Sequence, residues 1–304
     1  MTKPTETTAS GVIIIHKPAG MTSHDVVNKM RRLYATRKVG HTGTLDPMAT
    51  GVLPILIGGA TKAAELITAE DKGYTATLKL GMTTDTGDTT GAILTEGAPL
   101  PTAAQVEAAL DSFRGEIMQI PPMYSALKVD GKKLCDLARQ GIEVERQARP
   151  VTIHSLKMEV IDETAGEYRL EVLCSKGTYI RTLCCDIGEA LGCGGVMASL
   201  VRTRSGSFTL EQSYTLEELA EMELSARQAL LIPCEALFAD LAKLTLKPFF
   251  EHLARNGQPV YLRKIGLHAA PGTRFAVYGE EGFFALGEIG EQEGEPVLRL
   301  IKRF

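Results

Sequence analysis

The sequence lacks the patterns that mark zinc ribbons, membrane spans and nucleotide-binding loops. Its six cysteines include no C-x-x-C pair, so a zinc ribbon has no support. No apolar run reaches membrane-spanning length, and residues 1–10 are polar, unlike a signal peptide. Dinucleotide and P-loop motifs are also absent. We therefore expect a cytoplasmic protein with buried free thiols, no metal and no cofactor; a redox pair at Cys184 and Cys185 is the alternative.

Length and charge indicate a globular protein with a local basic surface. The 304 residues are 44% hydrophobic and 23% charged, which suits one large domain with a small one, or two of middling size. The net charge of −4 argues against a polybasic nucleic-acid binder. Residues 1–60, however, hold seven Lys or Arg residues and three acidic ones, a net +4. A basic region on an acidic protein suits a polyanion bound at one place, although Arg31 and Arg32 also fit a solvated helix face.

Residues 40–51 read G-H-T-G-T-L-D-P-M-A-T-G and place one carboxylate in a bent, uncharged loop. Asp46 is the only acidic residue between Asp25 and Glu65. Pro47 biases Asp46 towards an extended conformation. An isolated carboxylate in such a loop is a candidate catalytic group, and an Asx-turn is the alternative interpretation.

Apolar periodicity predicts an α+β chain. The strands are expected over residues 11–16, 52–57, 71–80, 151–161, 168–174 and 195–210, and the helices over 22–34, 59–67, 102–113, 131–140, 215–223 and a stretch that follows residue 178. Thr22 and Asp25 form a capping-box pattern. Residues 120–150, with their prolines and many cations, predict a mobile flap over a polyanion, or a plain surface insertion. From about residue 244, short apolar runs between Gly-rich turns predict a small β-barrel-like domain.

The triplet Asp85-Thr86-Gly87 raises two further hypotheses. It matches the D-T-G of aspartic proteases, but those enzymes need two carboxylates that share a proton, and no second D-[ST]-G follows. Asp85 and Asp88 could also bind a hard cation, but no third ligand is suitably spaced. We therefore expect neither a protease nor a metal site here.

Five segments together resemble the TruB family of bacterial tRNA pseudouridine synthases, from about residue 11 to the C-terminus. Residues 40–53 match its signature loop G-H-T-G-T-L-D-P-x-A-T-G-V-L. The other matches are K-P-x-G-x-T-S at 17–23, K-x-Y at 72–74, K-G-x-Y-I-R-x-L at 176–183 and L-x-R-T-x-x-G-x-F at 200–208. A T-D-T-x-D loop at 84–88 is similar to one in the family.

The resemblance implies the pseudouridine synthase fold, an α+β domain with a mixed, mostly antiparallel sheet. It assigns residues 11–240 to the catalytic domain and 244–304 to a PUA-like RNA-binding domain, and the polar residues 1–10 before them are expected to be a disordered N-terminus. Asp46 is implied to be catalytic, paired with Arg181. The other implied substrate-binding residues are Tyr74, which packs on the base, Tyr179 and Leu200 around it, and His41, which fills the place that the base vacates.

The implied reaction isomerises the uridine at tRNA position 55, in the T-loop, to pseudouridine, with a monomeric enzyme, no cofactor and no membrane. Phosphate contacts are expected from basic residues around the signature loop and flap: Lys17, Arg31, Arg32, Lys128, Lys132, Lys133 and Arg202. Two alternatives stay open. One is a non-catalytic tRNA-binding or tRNA-folding protein that uses the same groove. The other is a hydrolase with Asp46 as nucleophile and His41 as the base that activates water.

Overall fold

The computed structural model describes residues 9–67, 71–125, 127–129 and 131–304, except for the side chains of Ile67, Lys128 and Lys133. The strands are β1 Gly11–Lys17, β2 Val39–His41, β3 Thr50–Ile57, β4 Lys72–Leu80, β5 Met82–Thr84, β6 Ile93–Glu96, β7 Gly115–Gln119, β8 Lys128–Val129, β9 Lys132–Lys133, β10 Arg149–Asp162, β11 Glu167–Cys174, β12 Gly195–Ser205, β13 Phe208–Thr209, β14 Ala242–Thr245, β15 Val260–Tyr261, β16 Arg274–Gly279, β17 Gly282–Gln292 and β18 Glu295–Arg303.

The α-helices are short and lie between these strands. They are α1 Ser23–Leu33, α2 Ala64–Ile67, α3 Ala103–Leu110, α4 Leu134–Ala138, α5 Ile180–Ala190, α6 Leu216–Glu221, α7 Leu224–Ala229, α8 Pro248–Arg255 and α9 Leu262–Ile265. Short 3-10 turns adjoin several of them, at Gly58–Ala63, Asp111–Phe113, Leu210–Gln212 and Cys234–Phe238. No helix of the described ranges is long and apolar enough to cross a membrane.

A nine-stranded sheet forms the larger part of the fold. Its order is β1-β3-β12-β4-β11-β10-β7, with β2 beside β3 and β13 beside β12. Only the short contact between β3 and β12 is parallel among the paired strands of this sheet in the described residues. The predicted mixed, mostly antiparallel α+β architecture is therefore confirmed.

One face of this sheet carries the main apolar core. Ala76, Leu78 and Leu80 alternate along β4 and are buried together with residues of α3 and α5, and Tyr74 packs against the same cluster. This is the face that the period-two pattern predicted. A second core cluster fills the space between β1, β3, α1 and α6. The signature loop connects β2 to β3, and its residues Leu45 and Ala49 are buried in the main core.

The C-terminal strands form a separate five-stranded sheet with the order β14-β16-β17-β18-β15 and its own apolar cluster. This bears out the expected β-rich C-terminal unit. Phe283 of β17 and Phe304, which follows β18, pack on Phe238, with ring centroids 5.9 and 5.5 Å from it. Leu286 joins them in a cluster with Val12 and Ile14 of β1. The second sheet is therefore joined to the first through a shared apolar contact.

Two local expectations differ from the structure. The predicted basic helix over residues 131–140 is wrong: β8 and β9 form a two-stranded hairpin, and only Leu134–Ala138 is helical. Of the segment expected to be disordered, residues 1–8 lie outside the described part, whereas the Ser10 Oγ accepts a hydrogen bond from the Ala60 amide at 3.0 Å. The capping box at Thr22 and Asp25 is present as predicted.

Candidate active site

The signature loop is held to the body of the protein through alternate backbone carbonyls. The Gly43 carbonyl accepts from the Arg202 Nη2 at 3.1 Å, and the Leu45 carbonyl from the Ser23 Oγ at 3.2 Å. The Pro47 carbonyl accepts from the Lys17 Nζ at 3.2 Å. The Leu45 side chain is also buried in the main core. The loop backbone on both sides of Asp46 is thereby fixed.

Asp46 lies between these fixed points with its carboxylate partly open to solvent. Its side chain is 35% exposed, and its Oδ2 accepts a hydrogen bond from the Arg181 Nη2 at 2.7 Å. The structure thus brings together the two residues that the resemblance paired, from positions 135 residues apart. A short charge-assisted hydrogen bond of this kind holds the carboxylate in one orientation.

Arg181 connects Asp46 to two other segments. It is 6% exposed, and it donates from Nη1 to the Thr86 carbonyl at 3.1 Å and from Nη2 to the Tyr124 carbonyl at 3.0 Å. The Asp88 Oδ2 lies 3.7 Å from its Nε. The planar guanidinium, unlike an ammonium, offers several donors in fixed directions, which suits this junction. Arg181 therefore joins the signature loop, the 84–88 loop and the flap.

Asp88 is in turn held within its own loop. Its Oδ1 accepts from the Thr86 hydroxyl at 2.9 Å and the Thr90 hydroxyl at 2.6 Å. Asp85 points its Oδ1 at the Ala92 amide, 2.7 Å away, which closes the loop. The D-T-G triplet is thus part of a turn that supports Arg181. Among the described residues, no group of three or more His, Cys, Asp or Glu side chains could hold a metal ion.

A cavity of about 320 Å³ opens beside Asp46. Its wall includes four of the predicted substrate-binding residues and several others, among them Asp46, Lys72, Tyr74, Leu127, Tyr179, Arg181, Leu200 and Arg202. Tyr74 comes from β4, Leu200 from β12 and Tyr179 from the start of α5. The cavity is therefore formed where the central strands meet the N-terminus of α5, and its aromatic and aliphatic walls suit a planar base.

Lys17 and Arg202 were expected to contact phosphate, and the structure contradicts this. Lys17 is 0% exposed, and its Nζ donates to the carbonyls of Pro18, Met21 and Pro47. Arg202 is 1% exposed and donates from Nε to the Val52 carbonyl at 2.7 Å. Buried cations satisfied by carbonyl groups cannot reach an RNA backbone, so both residues support the loop from within.

Burial also shifts the pKa values of groups around the cavity. It lowers the pKa of Lys17 to about 8, although the nearby Asp46 carboxylate acts in the opposite direction. Burial raises the pKa of Tyr74, and a hydrogen bond from Arg202 partly offsets that rise. The pKa of Arg202 is lowered by burial. Tyr74 is therefore a neutral phenol at neutral pH, with a cation beside its hydroxyl.

His41 lies on β2 and lines a second cavity, of about 840 Å³, which shares part of the signature loop with the first. Asp46 and Arg181 line both cavities. Burial, with Arg202 and His24 nearby, lowers the pKa of His41. The imidazole is therefore uncharged near neutral pH, and its Nδ1 is buried without a hydrogen-bond partner among the described residues. The larger cavity therefore leaves open space beside His41.

The other candidate phosphate contacts lie on the surface to different degrees. Arg32 and Lys132 are exposed, while Arg31 is half-buried and donates to the Asn28 Oδ1 at 2.9 Å. The side chains of Lys128 and Lys133 lie outside the described residues. All six cysteines are free, and Cys184 is buried in the main core. Burial raises the pKa of Cys185 to about 11, which disfavours a reactive thiolate.

Comparisons with known proteins show that this sheet and site are those of a pseudouridine synthase. Residues 31–180 match the model of the TruB family pseudouridylate synthase N-terminal domain, and 181–239 that of the tRNA pseudouridylate synthase B C-terminal domain. The chain is 43% identical over 296 residues to the tRNA pseudouridine synthase B of Alkaliphilus oremlandii, covering 96% of this chain and 98% of that protein. This chain belongs to the TruB family.

Other proteins show the same relationship in sequence and in structure. The tRNA pseudouridine synthase B of Chromobacterium violaceum is 44% identical over 294 residues, covering 96% of this chain and 94% of that one. A chain in the crystal structure of a Cbf5-Nop10-Gar1 complex superposes with a TM-score of 0.71 at 26% identity. That superposition covers 97% of this chain and 85% of the other.

Sequence reasoning missed several residues that support the site. Ser23 was noted only as a motif member, although it fixes Leu45. Asp88 was considered only as a motif member and as a rejected cation ligand, although it faces Arg181. Gln119 was not singled out, yet it bonds the backbone of Tyr179. Tyr124 was assigned only to the flap. The similar T-D-T-x-D loop was the one signal that pointed to Asp88.

Proposed function

We propose that this chain converts a uridine of tRNA to pseudouridine, that the substrate is the T-loop uridine at position 55, and that Asp46 is the catalytic carboxylate. The observation that carries this proposal is the carboxylate of Asp46, held by Arg181 at 2.7 Å in the wall of a base-sized cavity. Family membership and the names of the relatives support tRNA as the substrate.

The reaction fits the groups at the site. The N1–C1′ bond of uridine breaks, the uracil turns, and a C5–C1′ bond forms; C5 loses a proton and N1 gains one. The change therefore needs no oxidant, reductant or group donor. An ionised carboxylate is a suitable nucleophile, whether it attacks the sugar or the base. Arg181 keeps the carboxylate of Asp46 turned to the cavity, and the rings of Tyr74 and Tyr179 hold the base.

The base must leave the stacked T-loop to enter the cavity, at a cost of about a few kcal/mol for unstacking. His41, uncharged and beside the larger cavity, fills the place that the base vacates. The phosphates are met by Arg31 and Arg32, and by Lys128, Lys132 and Lys133 on the flap. The C-terminal sheet acts as a PUA-like RNA-binding domain. The enzyme works as a cytoplasmic monomer.

The test is incubation with unmodified tRNA, followed by analysis of the nucleosides. The proposal predicts one pseudouridine per tRNA and none in a tRNA that carries cytidine at position 55. Release of free uracil would instead support a hydrolase. Binding without any change in nucleosides would support the non-catalytic alternative. Either result, with folded protein, rules the proposal out.

A further inference from the structure

Gln119 is a buried residue that contacts the active-site helix from a distant strand. It is the last residue of β7, and it is 2% exposed. Its Nε2 donates to the Tyr179 carbonyl at 3.0 Å, and its Oε1 accepts from the Tyr179 amide at 2.7 Å. One carboxamide thus binds both backbone polar groups of a residue that lines the base cavity.

Tyr179 occupies the point where the chain turns into α5. It is the N-cap residue, with extended backbone angles of φ −102° and ψ 108°, and no side-chain hydrogen bond caps this helix. Its carbonyl also accepts the first helical bond, from the Leu183 amide at 3.0 Å. A helix start without a side-chain cap is weakly defined by local sequence. The carboxamide of Gln119 therefore fixes the backbone angles at this point from outside the helix.

Rotation of the Tyr179 backbone would move two groups of the site together. It would swing the Tyr179 ring along the cavity wall, and it would shift Arg181, two residues further on, which holds Asp46. A displacement of about 1 Å in such positioning groups is enough to slow a reaction by about a hundredfold. Only a side chain with both a donor and an acceptor at this reach satisfies both backbone groups.

The same residue stands at the base of the flap. In the antiparallel pairing of β7 with β10, Gln119 is opposite Arg149, so the segment between them leaves and rejoins the sheet at this pair. Tyr124, within that segment, accepts a hydrogen bond from Arg181. The start of α5 is thus connected to the fixed base of the flap through Gln119, and to the flap itself through Arg181.

We propose that Gln119 is a positioning residue for pseudouridine formation: through its two bonds to the Tyr179 backbone it orients the Tyr179 ring and the Arg181 guanidinium towards the base cavity. This inference rests on the proposed function. Gln119 itself lies outside the lining of the cavity and does not touch the reacting atoms.

Two substitutions separate positioning from simple support of the fold. Gln119→Met keeps the length of the side chain and removes both hydrogen bonds. Gln119→Glu keeps an acceptor for the Tyr179 amide and sets a carboxylate against the Tyr179 carbonyl. The matched control is Gln105→Met, because the Gln105 Oε1 accepts from the Thr102 amide in the capping box of α3, at 2.8 Å, away from the cavity.

The measurements are the single-turnover rate of pseudouridine formation with excess enzyme, the Kd for unmodified tRNA, and a thermal melt, all on full-length protein. Below the melting range, Gln119→Met is expected to lose about tenfold to a hundredfold in rate, with a Kd within about threefold of wild type. Gln119→Glu is expected to lose rate as well. Gln105→Met is expected to keep the wild-type rate even if its melting temperature falls.

The inference is overturned if either Gln119 variant, shown to be folded, turns over at the wild-type rate. It is also overturned if the rate falls only in proportion to the folded fraction, as a purely structural residue would give. If Gln119→Met does not fold, Gln119→Glu carries the same test alone. A wild-type protein that makes no pseudouridine overturns the proposed function itself, which is a distinct result.

Discussion

Arg181 and Asp46, which lie 135 residues apart in sequence, are joined by a hydrogen bond of 2.7 Å between Nη2 and Oδ2. The arginine is buried and the carboxylate is partly open to the cavity. The same guanidinium bonds two backbone carbonyls, so its position is set independently of Asp46. The catalytic carboxylate of the proposed mechanism is therefore held by a group that is itself fixed, which is how a site is organised before its substrate arrives.

This arrangement predicts that a lysine cannot replace Arg181. An ammonium on a flexible stem cannot bond Asp46 and the carbonyls of Thr86 and Tyr124 with the directions that the guanidinium provides. Arg181→Lys is expected to lower single-turnover pseudouridine formation by at least about a hundredfold. The control is Arg114→Lys, at an arginine paired with Glu107 and Asp111 on the surface. Equal rates for the two variants would contradict the account.

The lowered pKa of Lys17 predicts that the stability and the turnover of the protein depend on pH. Because burial lowers its pKa to about 8, Lys17 loses its charge in the folded protein at a pH where the unfolded chain, with a value near 10.5, still carries it. The buried charge therefore opposes folding below about pH 8, and this cost is relieved as the pH rises from about 8 towards 10.5. The neutral amine, however, has two N–H donors for the carbonyls of Pro18, Met21 and Pro47.

Turnover and stability should consequently move in opposite directions. From about pH 7 to about pH 9, wild-type turnover is expected to fall relative to that of Lys17→Met, while its free energy of unfolding rises relative to that variant. The measurements are single-turnover rates and denaturant unfolding of both proteins across this range. Parallel pH profiles for the two proteins would show that Lys17 does not titrate in this way.

The backbone at Gly51, at the end of the signature loop, leaves no space for a side chain. Its φ is +105°, and a Cβ there would collide with the Arg202 carbonyl oxygen and approach the Arg202 amide nitrogen to 2.8 Å. Gly51→Ala is expected to cost about 3 kcal/mol or more of unfolding free energy, from backbone strain and overpacking together. Gly20, at φ +80° with nothing within 4 Å of a Cβ, is the control. Gly20→Ala should cost only about 1–2 kcal/mol, and equal losses would contradict the packing argument.

The surface cations predict a salt effect on tRNA binding. Arg32→Gln and Lys132→Gln should each weaken binding and reduce the slope of log K against log salt by about 0.7–0.9, because one phosphate fewer is neutralised in each complex. Lys157→Gln is the control, because Lys157 stands opposite Glu171 in the pairing of β10 with β11 and lies on the opposite sheet face from Tyr74. Unchanged slopes in the first two variants would show that Arg32 and Lys132 do not contact tRNA phosphates.

Local chemistry explains which features the sequence predicted. The cap at Thr22 and Asp25 and the alternation along β4 depend on neighbours within a few residues, so they could be predicted from the pattern alone. The placement of Asp46 and Arg181 together came from the family resemblance, since no local rule connects positions so far apart. The helix predicted over residues 131–140 was too long, because cations followed by Gly141 are compatible with a helix as well as with the hairpin that forms.

The burial of Lys17 and Arg202 could not be predicted in this way. Charged residues in a basic stretch are expected at the surface, and only the fold brings the carbonyls of Gly43 and Pro47 to them. The two hydrogen bonds between Gln119 and the Tyr179 backbone likewise join segments that lie 60 residues apart. Residues that support a site from beneath carry little signal in a single sequence, because their partners are backbone groups without a side-chain identity.

We propose that Asp46 acts as a carboxylate and not as a turn residue, and one substitution separates the two roles. Asp46→Asn keeps the size of the side chain and its capacity for an Asx-turn, while it removes the anion. The decisive measurement is single-turnover pseudouridine formation in unmodified tRNA with excess Asp46→Asn enzyme, alongside a thermal melt and a tRNA titration. We expect a folded protein that binds tRNA and forms no pseudouridine. A rate within about tenfold of wild type, or roughly 1.4 kcal/mol in barrier, would contradict it.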